Sequence, residues 1–203
     1  MKMNRYVLVA SFLVGALALG MAPAGAAADG TYVAPKDKAY IVFVKAGRSS
    51  KKAAFLFYDE KVNCVSYMEG AVGAEIIPVN PGKHTIYTVG VNAHRMEFNV
   101  EAGRTYFTRI SVPRYGYGTL KLVPAMRDTD TFAMVKDWVS SAKASDPNED
   151  ACRGHKLEGR KEGRNRAENK IPDADNKWKD EEYRKKLTLK KKDGYTAAEA
   201  GKL

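Results

Sequence analysis

The sequence is poor in the residues that make an enzyme easy to recognise. It has three histidines, His84, His94 and His155, and no two share the spacing of a helical or knuckle metal site. His84 and His94 can face each other across a hairpin, but two imidazoles without a carboxylate or thiolate make a poor site. No G-x-S-x-G turn is present to hold a serine nucleophile at a strand end. Glycine-rich phosphate loops are missing too, because Tyr115-Gly116-Tyr117-Gly118 runs into a strand and not a helix. Asp59 and Glu60 are adjacent carboxylates, but neighbours on a hairpin turn point different ways, so they read as a solvated turn. The expectation is a chain with no catalytic residue, no metal site and no cofactor. A hydrolase would need carboxylates assembled by folding, and it stands last among the alternatives.

Long apolar runs are lacking everywhere except at the start. No later segment approaches the 20 or so apolar residues of a spanning helix, so no membrane span is expected. The first 28 residues read as a cleavable signal peptide. Lys2 and Arg5 form a positive n-region, Tyr6 to Met21 is an uncharged apolar run, and Pro23 ends it. Small residues then satisfy the cleavage rule twice, placing the cut after Ala26 or after Ala28. With no cysteine near the cut, no lipid anchor is expected. The mature protein is therefore read as periplasmic or secreted. Losing Lys2 and Arg5 lowers the net charge from +10 to +8. An exported basic chain meets anionic lipid headgroups or acidic glycans sooner than nucleic acid, so no nucleic-acid partner is expected. The two cysteines, Cys64 and Cys152, allow one intrachain disulfide in an oxidising compartment, and a buried free thiol at Cys64 is the alternative.

Residues 29–37 read as a linker. From Lys38 to Ala125 the pattern is short strands divided by turn chemistry. Ala39 to Val44 is a continuous apolar run that suits a strand buried on both faces. Asn80-Pro81-Gly82-Lys83 places Pro and Gly where a type II turn wants them. Arg95 to Val100 alternates, with Met96, Phe98 and Val100 on one face. Leu120 and Leu122 share a face in the closing strand. Seven or eight strands follow one another with no helical period between them, which predicts an antiparallel β-sandwich. Parallel pairing would need crossover helices, for which there is no room.

Over residues 128–145 the period changes. Phe132, Val135, Val139 and Ala142 recur at three- and four-residue steps, predicting one amphipathic helix packed on the sandwich. Residues 146–203 hold 16 basic and 13 acidic residues with few apolar ones. Such a composition predicts a charged, mostly disordered tail. Within it, 175–192 can form a solvated helix through Glu181/Lys185 and Glu182/Lys186.

The β region resembles an uncharacterised family of exported bacterial β-domains, known only as a domain of unknown function, and is more distantly PEGA-like. The resemblance rests on Phe57-Tyr58-Asp59-Glu60-Lys61-Val62, on Pro81-Gly82-Lys83-His84-Thr85-Ile86, on Glu101 to Phe107 and on Leu120 to Pro124. Glu60 departs from the pattern, standing where the family usually has glycine. The resemblance implies a fold and an exported location, and no catalytic residues.

Pro113 to Gly118 is the most conspicuous surface candidate. Arg114, Tyr115 and Tyr117, with Arg109 upstream, offer aromatic faces and cations to a sugar, carboxylate or side chain. The alternative is a glycine-rich hairpin whose tyrosines lie back on the sandwich. The leading functional expectation is a non-catalytic envelope module with a protein or glycan partner. The second is polyanion or membrane-surface binding through Lys185-Lys186 and Lys190-Lys191-Lys192.

Overall fold

A computed structural model of the chain describes residues 32–45, 54–68, 73–90, 92–111, 120–140, 142, 144–145 and 162–203. Among the described residues, ten strands form two five-stranded sheets. One sheet carries β8 (Lys121–Pro124), β7 (Thr105–Ser111), β1 (Ala39–Lys45), β4 (Gly73–Val79) and β9 (Ala144–Ser145), in that order. The other carries β10 (Thr188–Leu189), β6 (Ala93–Val100), β5 (Gly82–Val89), β2 (Phe55–Tyr58) and β3 (Cys64–Met68).

The expectation of purely antiparallel pairing is corrected. β1 pairs with β7, β4 with β9 and β6 with β10 in parallel. A parallel pair needs a long connection, and helices are only the commonest way to supply it. Here the chain between β1 and β7 visits the other sheet, so β2, β5 and β6 take the crossover's place.

One apolar core draws from both sheets. Ile41, Phe43, Ile77, Tyr106 and Ile110 from the first sheet share it with Phe57, Ile86, Met96 and Phe98 from the second. The alternation expected in β6 is present, with Met96, Phe98 and Val100 all in this core. Val42 and Val44 face the other way, under Tyr32, Val135, Trp138, Val139, Tyr195 and Ala200. This cover explains why the run from Ala39 to Val44 has no polar alternation: β1 is buried on both faces. Of the described part of the expected linker, Tyr32 and Ala34 are buried while Pro35, Lys36 and Asp37 are exposed, and Tyr32 O accepts a bond from Thr105 Oγ1 at 2.5 Å.

The single helix expected over 128–145 is two short ones, α1 (Asp130–Ala133) and α2 (Val135–Val139), joined at Met134. Their apolar side chains do pack, on the outer face of β1. The larger correction concerns the tail, because 162–203 is folded onto both sheets. Helix α3 (Glu162–Trp178) lays Ala167, Ile171 and Ala174 on Tyr58, Tyr87, Val89 and Ala93. These steps of four and three put the residues on one face, and the two alanines let the helix approach the sheet closely. The helix expected at 175–192 is instead the end of α3, helix α4 (Glu181–Lys186), β10 and a 3-10 turn at Lys191–Asp193. Trp178, Leu187 and Leu189 enter the main core beside β6. Tyr195 then bridges to Thr105, and α5 (Ala197–Ala200) closes over the first sheet.

Gly194 marks a close approach in this wrap. A Cβ there would lie 2.6 Å from Tyr106 Cζ and 2.9 Å from Arg104 Cβ. Tyr106 is wholly buried and has little room to shift. Gly194→Ala should therefore lower stability by about 2 kcal/mol, as overpacking does. Thermal unfolding measures it, and an unchanged melting temperature would contradict the tight docking.

Candidate functional site

The two sheets part at the corner where β4 leads into β5, and an open groove of about 330 Å³ lies there. The Asn80–Lys83 turn is this corner, passing the chain from one sheet to the other. Gly82 takes φ 135°, a conformation that side chains rarely adopt. Val65, Ile77, Val79 and Ile86 make the groove apolar below, and Lys38, Asp59, Glu60, Asn80 and His84 make it polar at the rim.

The rim is partly fixed by its own bonds. Lys38 Nζ donates to Asn80 Oδ1 at 2.6 Å, leaving further ammonium hydrogens for a ligand. His84 Nε2 lies 2.7 Å from Asn80 O, and a carbonyl only accepts, so Nε2 carries the hydrogen. Asp59 Oδ1 accepts from the backbone of Lys61 and Asn63, and Oδ2 accepts from Asn63 Nδ2. Asp59 is therefore a turn-builder, in line with reading Asp59-Glu60 as a turn. It holds Val62 at φ 61°, a left-handed conformation that costs a branched residue roughly 1–2 kcal/mol. Glu60 is exposed and lines the groove from the β2–β3 turn, while Lys38 lines it from just ahead of β1. An ammonium and a carboxylate flanking an apolar floor can hold a ligand of mixed charge. No described group in the groove is arranged as an activated nucleophile.

The other sites expected from sequence are distributed as follows. Arg109 lies on β7, half-buried, on the face that carries Phe107, and its Nε has no hydrogen-bond partner among the described residues. Arg114, Tyr115 and Tyr117 lie outside the described residues, as do Ala26, Ala28 and Cys152. Cys64 opens β3 and is disulfide-bonded. His84 and His94 do not face each other: His84 pairs with Phe98, and His94 with Thr88. Four residues of strand separate them, about 13 Å at 3.3 Å per residue, too far to share an ion. Among the described residues no three His, Cys, Asp or Glu side chains form a metal cluster. No described helix is long and apolar enough to cross a membrane.

Sequence reasoning missed a charged layer inside the core. Lys45 and Glu75 are 0% and 1% exposed, and Ser66 Oγ donates to Glu75. Thr108, Phe43 and Glu75 stand in register in one sheet, and Thr88, Phe57 and Ser66 in the other. Phe43 packs on Phe57 with ring centroids 4.6 Å apart, so these two rows face each other. The only signal in sequence was Lys45 and Glu75 in phase with apolar neighbours two residues away.

No protein-family model matches the chain, and no characterised protein matches it in sequence.

Proposed function

We propose that the mature chain is an exported, non-catalytic β-sandwich interaction module of the cell envelope, of the kind its turn motifs resemble. The observation that carries this reading is the open groove at the β4–β5 corner, with Lys38 and Glu60 flanking an apolar floor. The N-terminal pattern of charge, apolar run and small residues supports the exported location. The partner is an envelope protein or glycan that offers both a carboxylate and a cation.

The test is capture from envelope extract on immobilised protein, followed by quantitation of the specifically retained species. Reversing both charges, Lys38→Glu with Glu60→Lys, should lower retention at least tenfold. One lost charge-assisted bond is worth about 1.5–3 kcal/mol, which corresponds to that factor or more. Retention unchanged in this variant, but lost in Tyr115→Ala with Tyr117→Ala, would move the binding surface to the 113–118 loop. Retention unchanged in both would remove the reading.

The polyanion alternative draws less support from the basic residues it names. Lys185 and Lys186 pair with Glu181 and Glu182 at 2.7 and 2.6 Å. Lys192 pairs with Asp128, and Lys191 lies 3.7 Å from Glu101. Exposed pairs of this kind are individually weak, but they engage four of the five lysines on which that reading depends.

A further inference from the structure

His94 sits where the C-terminal segment meets β6, and its hydrogen bonds settle its protonation state. Leu120 N donates to Asn92 Oδ1 at 3.1 Å, which turns the amide nitrogen of Asn92 toward the ring. That nitrogen lies 2.8 Å from His94 Nε2 and can only donate, so Nε2 is an acceptor. The ring is therefore the neutral tautomer with hydrogen on Nδ1, which donates to Tyr183 Oη at 2.7 Å. Tyr183 belongs to α4, stacks near His94 at 6.4 Å and 22°, and meets Trp178 edge-on at 6.4 Å. Behind it Leu187 and Leu189 enter the core, and Leu187 O accepts from Glu97 N at 3.1 Å.

We propose that His94 is a pH-sensitive latch: protonation at Nε2 sets two donors against each other at Asn92 and releases the α4 segment around Tyr183 from the β6 edge.

Among the described residues, the surroundings offer an imidazolium no unengaged carboxylate. From α3, Asp175 is held by Arg95 and Tyr87, and Lys177 repels a positive ring. From β6, Glu97 is held by Arg95, whose guanidinium lies 5.1 Å over Trp178. Ahead of α4, Asp180 accepts from Tyr183 N at 2.9 Å. From β5, Thr88 brings a buried hydroxyl without a described partner. Burial, with a smaller push from Lys177, holds the imidazole below its ordinary 6.5, and the backbone of Leu120 opposes this only in part. A base held low in the folded state favours closure above its ordinary value. That contribution is lost as pH falls below 6.5, because the opened state then binds the proton first.

Hydrogen exchange of the purified chain at pH 7.5 and 5.5, corrected for intrinsic rates, reads the latch directly. Opening over 181–189 should rise more than twofold between these values, up to a limit of about tenfold set by titration of one released histidine near 6.5. Exchange of β1 should not change. His94→Gln should flatten the pH dependence to within twofold. A wild-type change under twofold, or an undiminished one in His94→Gln, would overturn the proposal. Should His94→Gln fail to fold, Tyr183→Phe decides: it keeps the ring and removes the acceptor, so 181–189 should open faster at pH 7.5. Unchanged protection in that variant would also overturn it.

Discussion

A chain ended after Lys177 should fail to fold. The cut removes Trp178, Leu187 and Leu189 from the core between the sheets, and Tyr195 and Ala200 from the layer over β1. Four of these side chains are large, and burial of each contributes about 1.5–3 kcal/mol. Their sum, roughly 6–12 kcal/mol, is comparable with the whole stability of an ordinary domain, about 5–15 kcal/mol. The same cut removes the β10 partner of β6 at Glu97 and Phe98, which keep only their pairing with β5. The expected results are poor soluble yield, loss of near-ultraviolet circular dichroism and no cooperative thermal transition. A truncated chain that melts like the intact one would show that the final 26 residues are not part of the fold.

Arg127→Ala should cost about 3 kcal/mol, the second largest effect expected. Its Nε donates to Lys192 O at 2.6 Å, and one guanidinium nitrogen donates to Gly194 O at 3.0 Å. Both nitrogens engage Glu199 at 3.0 Å, and the plane lies 4.3 Å over Phe132. Hydrogen bonds to charged groups contribute about 1.5–3 kcal/mol each, but a third of this side chain is exposed and solvent recovers much of that. The estimate is therefore well below the simple sum. Arg127→Lys should recover only part, since an ammonium lacks the planar fork that meets Glu199 twice. Arg127 holds the Glu199 carboxyl at about 2, below its ordinary 4.5. A carboxyl held low stabilises above its unfolded value, so this contribution is lost as pH falls from 4.5 toward 2. Chemical denaturation at pH 7 and pH 3 should show a smaller gap between variant and wild type at the lower pH.

The strands were largely legible, and the reason is local. Turns such as Asn80-Pro81-Gly82 and alternation such as Met96-Phe98-Val100 leave their mark within a few residues. Pairing direction left no such mark, because whether β1 meets β7 in parallel depends on the route of the chain between them. The tail was misread because its apolar content is low on average. Ala167, Ile171, Ala174 and Trp178 nevertheless recur at helical steps, and Leu187 and Leu189 alternate as a strand does. Counting composition hid a placement that periodicity held. Of the groove, the Asp59 turn and the Pro81-Gly82 corner were visible, but their meeting was not: residues 38, 60 and 84 come together only once two sheets stack. The latch was less visible still, since His94 and Tyr183 are far apart in sequence and neither belongs to a motif.

The parallel contact of β1 with β7, together with the C-terminal wrap, gives this chain a high contact order. β1 cannot complete its sheet until some 60 residues later have appeared, and β6 and Tyr106 wait for residues near the very end. Folding of this kind is slow and completes late. A chain synthesised from its N-terminus therefore stays open until its last turn has emerged. Under the export proposed above, that delay would keep the polypeptide open for passage across a membrane.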